Sequence, residues 1–292
     1  MKKTKIDLEL IFLTYNSGFW IKKALSSLQE FYLQHTNKNI LVTVVDNNST
    51  DETIEVIKRD FPWVKTIVLE ENVGFSKANN VALSQSKAKY AMLLNSDVEF
   101  TSDSNLDLLI RYMNSHPRVG IVTPKLSFFN GSLDPACHRG EPTLWASFAY
   151  FSRLEKMFPN SPKFGQYHQT YKNLNSIHEI DACSGAALLA RVSAFKTVGL
   201  LDEQFFMYAE DLDWCKRFRE DNWQVVYNPK VEMIHHKYKS GIKQSSQSIA
   251  KKTRQHFFNT MLQYFDKHYA KDYPGFVRAL VKYFLELKKG GV

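Results

Sequence analysis

Cysteine is scarce and scattered in this chain. Cys137, Cys183 and Cys215 are odd in number, far apart and without CxxC spacing, which argues against a disulfide framework or a zinc site and for a reducing compartment. Glycine-rich phosphate loops are missing too. A dinucleotide-dependent dehydrogenase would show GxGxxG after its first strand, and Leu13-Thr14-Tyr15-Asn16-Ser17-Gly18 holds a single glycine. A sugar nucleotidyltransferase would open on a glycine-rich loop bearing Arg and Lys, and the sequence has none. No apolar run approaches the ~20 residues of a membrane span. Met1-Lys2-Lys3-Thr4-Lys5 imitates the basic start of a signal peptide, but Asp7 and Glu9 interrupt what should be its apolar stretch. The expectation is a cytoplasmic protein that is not integral to a membrane. Without a secretory signal the sequon Asn130-Gly131-Ser132 has no consequence. No repeat, low-complexity stretch or Gly/Ser-rich linker divides the chain.

What is present suits a folded globular protein: 292 residues, 44% hydrophobic and 14% aromatic. The formal net charge of +8 is unevenly placed. Residues 230–292 carry 13 Lys and Arg against 4 Asp and Glu, whereas residues 1–229 carry 25 against 26. A basic tail of this kind points to an anionic surface, lipid or nucleic acid. A nucleic-acid binder would leave the acidic strand tips described next without a purpose.

Apolar runs of strand length each lead into a polar tip. Leu8 to Leu13 leads to Thr14-Tyr15-Asn16-Ser17. Leu41 to Val45 ends in Asp46-Asn47-Asn48-Ser49-Thr50-Asp51, Thr66 to Leu69 leads to Asn72-Val73-Gly74-Phe75, and Tyr90 to Leu94 ends in Asn95-Ser96-Asp97. Helical patterns separate them, the first beginning near Trp20 with Ser17 as its N-cap, the others spanning Asp51 to Asp60 and Phe75 to Ser86. This alternation reads as an α/β fold with buried parallel strands, whose carboxyl ends form the ligand site. Carboxylates and amides at those ends favour a nucleotide base and a metal-bound diphosphate. A further helix (Leu106 to Asn114) and strand (Val119 to Thr123) follow, then a loop and helix excursion over 125–180. Ala186 to Ala190 (strand), Val192 to Val198 and Asp211 to Glu220 (helices), Gln224 to Tyr227 and Val231 to Ile234 (strands) come next. Two basic helices, 245–269 and 274–289, close the chain.

Four stations could carry chemistry. Asp97, two residues after Asn95, suits Mg²⁺ or Mn²⁺ as an oxygen donor at a strand tip, or simply caps a turn. Glu210-Asp211-Leu212-Asp213 opens a helix, where acids are favoured by the dipole. The preceding Phe205-Phe206-Met207-Tyr208 could instead desolvate a carboxylate into a base. His235 and His236 end a strand and face opposite ways, so at most one joins a given site. His138-Arg139 reads as a solvated pair in the excursion, or as a phosphate contact.

Taken together these segments resemble inverting family 2 glycosyltransferases with the GT-A fold. Thr14-Tyr15-Asn16, Asp46 to Asp51, Asn72-Val73-Gly74-Phe75 with Asn79-Asn80, and Leu94-Asn95-Ser96-Asp97 carry the first part. Ser184-Gly185-Ala186, Arg191, Val198-Gly199, Leu201-Asp202-Glu203, Glu210 to Asp213, Pro229 and His235 carry the second, in an order similar to the rhamnosyltransferase-like branch of bacterial surface polysaccharide synthesis. Asn95 departs from the first position of the family's DxD. The resemblance implies a Rossmann-like nucleotide-sugar half (1–101), an acceptor-binding catalytic half (102–240) and a basic helical tail (241–292). It implies Thr14, Tyr15, Asn16, Asp46, Asn72, Gly74, Asn79 and Asn95 at the nucleotide-sugar, Asp46 accepting the base imide N–H. Asp97 and His235 would hold Mg²⁺ or Mn²⁺. Asp211 would be the general base with Glu210 beside it. The donor would be dTDP-L-rhamnose, or else a UDP-hexose, and the acceptor a lipid-linked or growing polysaccharide. The tail's apolar stripe from Phe276 to Leu287 would dock peripherally on the inner face of an anionic membrane, pack on the protein or make a homodimer.

Overall fold

The computed structural model describes residues 5–237 and 247–290. The start of the helix expected at 245 and the boundary expected at 240/241 lie outside them. The apolar runs of the first third become the parallel strands β1 (Leu8–Thr14), β2 (Ile40–Asp46), β3 (Lys65–Val68) and β4 (Tyr90–Asn95), joined by α1 (Gly18–Leu28), α2 (Thr53–Asp60) and α3 (Gly74–Gln85). Nearly every side chain of β1 and β4 is buried, as helices on both faces of a parallel sheet require. The strand order β3-β2-β1-β4 reverses direction at β1, which opens a crevice at the carboxyl ends there.

The rest of the chain extends the same sheet. It contributes β5 (Val98–Glu99), α4 (Asp107–Ser115), β6 (Val119–Ser127), α5 (Leu144–Phe151), α6 (Leu154–Met157), β7 (His178–Glu179), β8 (Ala187–Arg191), α7 (Val192–Val198), α8 (Glu210–Glu220) and β9 (Gln224–His235), then α9 (Gln247–His268) and α10 (Gly275–Gly290). The sheet runs β3-β2-β1-β4-β8-β6-β9-β5, with β7 on β9. β8 lies antiparallel to β4, so the start of β8 meets the end of β4: Asn95 donates its backbone N–H to Ala186 O at 3.0 Å. This junction brings residues from the later part of the chain to the carboxyl ends of the first four strands.

Two local expectations need correction. Ser17 does not cap α1; its Oγ donates to Tyr15 O, and the Gly18 N–H goes to Asp51 Oδ2 instead. A carboxylate from the neighbouring tip competes better for the helix N-terminus. The strands expected at Gln224 to Tyr227 and Val231 to Ile234 are one strand, β9, whose register with β6 slips after Asn228. Pro229, lacking an N–H, is accommodated in that irregularity.

The basic tail divides into two roles. α9 fastens to the second half: Tyr264 and Tyr269 donate to Glu141, and His268 and Lys267 pair with Asp213 on α8 at 2.8 and 2.5 Å. Arg217 completes the set around Asp213 at 2.8 Å. Burial alone would raise this carboxyl, but the His268 hydrogen bond and the Arg217 and Lys267 charges outweigh it and hold the group down at about 2. A depressed carboxyl stabilises the fold above its unfolded pKa, and that contribution is lost as pH falls toward the folded value. Urea melts are therefore expected to show Asp213→Asn weaker than wild type by roughly 2 kcal/mol at pH 7, the gap closing between about pH 4 and pH 2.

Candidate active site

The tips of β1 and β2 lock together. Asn16, in the left-handed region at φ +48°, donates its backbone N–H to Ser49 Oγ and accepts the Thr50 N–H on Oδ1, both at 2.8 Å. Asp46 is fully buried and accepts the Ser49 N–H at 2.9 Å and the Ser49 hydroxyl at 2.5 Å. Asp46 therefore shapes its own loop, and any base it touches must share oxygens with Ser49. Thr14 is buried with its Oγ1 lacking a hydrogen-bond partner, and Tyr15 lies 46% exposed at the rim.

The loop before α3 forms the next wall. Asn72 Oδ1 accepts from Asn47 Nδ2 and from the Gly74 N–H, while Asn47 Oδ1 accepts the Val73 N–H. Asn79 donates to Phe75 O and leaves its buried Oδ1 without a partner. Gly74, at φ +84°, sits so close to Phe206 that a Cβ would stand 2.4 Å from its carbonyl oxygen. Phe75 donates its N–H to that oxygen at 2.6 Å, and Ser76 Oγ donates to Phe205 O at 2.6 Å. This seam stitches the start of α3 to the loop that leads into α8.

At the end of that loop Tyr208 and Ala209 both adopt left-handed backbone, φ +72° and +65°, a conformation that costs about 1 kcal/mol or more for such residues. The turn starts α8 at Glu210, one residue before the expected Asp211. Asp211 Oδ2 accepts from Arg139 Nη2 at 2.6 Å and from the Gly185 N–H at 3.3 Å, and Oδ1 accepts the Leu212 N–H. Arg139 also donates to Cys183 O. Burial would lower the Arg139 pKa, and Asp211 more than reverses this, so the guanidinium stays charged. Glu210 is buried with Oε2 unpartnered; burial first, and the Asp211 charge second, push its carboxyl well above the usual range.

His235 and Asp97 meet beside the Asn95 tip. β5 pairs with β9 so that Val98 lies opposite His235. His235 Nε2 stands 3.3 Å from Asp97 Oδ1, and Nδ1 stands 2.8 Å from Asp134 Oδ2. Burial would lower the imidazole pKa, but the Asp134 and Asp97 carboxylates raise it to about 9. Cis ligands of an octahedral cation with bonds of about 2.1 Å are about 3 Å apart, so Asp97 Oδ1 and His235 Nε2 fit a shared divalent ion. Asp134 on the far ring nitrogen is the carboxylate that metal-binding histidines commonly use. Among the described residues no group of three or more His, Cys, Asp and Glu forms a complete cage, so substrate oxygens would have to fill the remaining positions. His236 points the other way, to Glu99 at 2.5 Å and against the Trp20 ring.

The identity follows from the chain's relatives. Residues 10–195 match the model described as glycosyl transferase family 2. The chain belongs to that family. This glycosyltransferase is 30% identical over 241 residues, 79% of its own chain and 76% of the relative, to an N-acetylglucosaminyl-diphospho-decaprenol L-rhamnosyltransferase of Mycobacterium tuberculosis. It is 27% identical over 230 residues, 70% of its chain and 81% of the relative, to rhamnosyltransferase WbbL of Escherichia coli. These relatives put it in the rhamnosyltransferase-like branch. In fold it is similar to the mannosyltransferase PcManGT from Pyrobaculum calidifontis, solved with GDP-Man and Mn²⁺ (TM-score 0.59, 16% identity, 98% of this chain and 72% of that one). It is also similar to S. aureus TarS 1-349 in complex with UDP (TM-score 0.52, 18% identity, 88% of this chain and 66% of that one). The fold is GT-A.

Two residues that contact the candidate site escape a reading of the sequence. In place of a solvated surface pair, His138 is buried against His178 at 2.7 Å, and Arg139 is largely covered on Asp211 with its side chain 11% exposed. Asp134 sits 101 residues from His235 in an irregular loop. No local spacing marks either one.

The Gly74 seam gives the site its first test. Gly74→Ala adds a Cβ that collides with the Phe206 carbonyl in a backbone conformation alanine disfavours. The expected loss is about 2 kcal/mol or more of stability by chemical denaturation, together with weaker nucleotide binding by calorimetry.

Proposed function

We propose that this glycosyltransferase transfers a sugar, with inversion, from a nucleotide-diphospho-sugar to a hydroxyl of a lipid-linked or growing polysaccharide acceptor. dTDP-L-rhamnose is the leading donor, because the relatives at 30% and 27% identity are named rhamnosyltransferases; a UDP-hexose is second, given the UDP in the TarS complex. The lipid-linked acceptor rests on the decaprenol-linked sugar in the mycobacterial relative's name. Thr14, Tyr15, Asn16 and Asp46 line the nucleoside, and Asn72, Gly74, Asn79 and Asn95 shape the sugar side.

The observation that carries the reading is the junction of β4 with β8. Asn95 bonds Ala186, and the preceding residue, Gly185, bonds Asp211, so the Asp97–His235 pair and the Asp211 carboxylate share one end of the sheet. Asp97 and His235 would hold Mg²⁺ or Mn²⁺, which neutralises the charge developing on the diphosphate leaving group. Asp211 Oδ takes the proton of the acceptor hydroxyl as its oxygen forms a bond to the anomeric carbon. The bond from that carbon to the diphosphate oxygen breaks in the same displacement, on the opposite face of the sugar. No covalent enzyme intermediate forms. Arg139 fixes the rotamer of Asp211, and Glu210, kept protonated by burial, can donate a hydrogen bond nearby. Nucleic acid has no part in this reading.

Two variants test it. Asp97→Ala should abolish transfer in an assay of nucleotide release with acceptor, and His235→Ala should lose more than His236→Ala; full Asp97→Ala activity with and without chelator contradicts the metal role. Asp211→Asn should retain donor binding by calorimetry while transfer falls about 10²- to 10⁴-fold, the usual range for a positioned general base. Near wild-type turnover would contradict the base role of Asp211.

A further inference from the structure

The excursion between β6 and β8 presents an apolar face that the catalytic reading leaves unused. Phe148 on α5, Met157 at the end of α6 and Phe158 just after it are 46 to 66% exposed. On α10, Phe276, Leu280 and Tyr283 are 62 to 67% exposed and fall on one helical stripe. Leu285, the buried residue of α10, lies on the opposite side of that helix. The two patches meet, because Phe151 of α5 packs edge-on against Phe284 of α10 at 5.3 Å between ring centres.

The charges around this face have one sign to offer. Lys163 lies 5.7 Å from the Trp145 ring, whose indole N–H donates to the Lys163 carbonyl at 2.7 Å. Lys156 and Lys163 are exposed beside the aromatics, and Lys282 is exposed on α10. The acids of these helices are engaged: Glu155 turns inward to His168 at 2.5 Å, and Glu286 pairs with Lys289 at 2.6 Å. Exposed apolar side chains interleaved with lysines, with an indole at the level of the charges, match the interface of an anionic bilayer rather than a protein groove.

We propose that α5, α6 and α10 form one composite surface that inserts into the headgroup region of an anionic membrane, so that the tail does not dock alone. Within the excursion Arg139 touches Asp211, and Thr143 caps α5 four residues on. A membrane-seated α5 thus lies a single turn of chain from the residue that fixes the base. The purpose of this arrangement rests on the lipid-linked acceptor proposed above; vesicle binding itself does not.

The test is co-sedimentation of the full chain with phosphatidylglycerol/phosphatidylcholine vesicles and with phosphatidylcholine alone. Three variants are compared: F148S/M157S/F158S, F276S/L280S/Y283S and K156E/K163E. Each apolar triple should lower partitioning onto anionic vesicles at least about tenfold, and K156E/K163E should lower it with a reduced salt dependence, all with unchanged thermal midpoints. Donor hydrolysis in solution, read as nucleotide release without acceptor, should match wild type in all three. Wild-type partitioning by both F148S/M157S/F158S and K156E/K163E would overturn the composite surface, leaving α10 alone or no membrane contact. Absence of donor hydrolysis by the wild type would count against the transferase reading while leaving the vesicle result intact.

Discussion

A buried ion pair governs the layout of the cleft. Arg139 and Asp211 lie 2.6 Å apart with side chains only 11 and 12% exposed, and the Glu141 pairs with Lys216 and Arg219 join the same two segments further along α8. Removing either partner of such a pair leaves an uncompensated charge and typically costs about 3 to 5 kcal/mol. The pair therefore specifies where the excursion must return. It also anchors the N-terminus of α8, since Asp211 holds the Gly185 N–H at the mouth of β8. The start of α8 is thus held by a fixed charge contact at the carboxyl ends of the sheet.

The rest of the architecture supports that contact from behind. β8 runs antiparallel against β4, which carries the Gly185 and Ala186 turn to the Asn95 tip. The Gly74–Phe206 seam pins the approach to α8 from the side of α3, and the strained turn at Tyr208 and Ala209 aims the helix start into the crevice. On the solvent side α9 grips α8 through Asp213 and grips the excursion through Glu141, a carboxylate that Lys216, Arg219, Tyr264 and Tyr269 also surround. The basic tail is therefore part of the scaffold in its first helix and a presented surface in its second.

Much of this was legible from the sequence because parallel strands buried on both faces must be apolar runs, and their ends must be turn formers. Asp46, Asn72, Gly74 and Asp97 announce themselves in that way, as does His235 at the end of β9. What was not legible depended on contacts across the chain. Ser17 looks like a helix cap until Asp51, from another tip, is seen to take the Gly18 N–H. Asn228 and Pro229 look like a break between two strands, yet β6 tolerates the slip. Arg139 and Asp134 sit in an irregular stretch whose fold is dictated by Asp211 and His235, 72 and 101 residues away. Even the stripe of α10 could be read from spacing, but its exposure could not.

The most direct test of the site is diffraction from crystals soaked with Mn²⁺ and either dTDP or UDP, with an anomalous-difference map locating the metal. An anomalous peak between Asp97 Oδ1 and His235 Nε2, with the diphosphate beside it and the nucleoside against Thr14 and Tyr15, is the predicted result. A nucleotide bound away from the carboxyl ends of β1 and β4, or a metal peak that touches neither Asp97 nor His235, would contradict it.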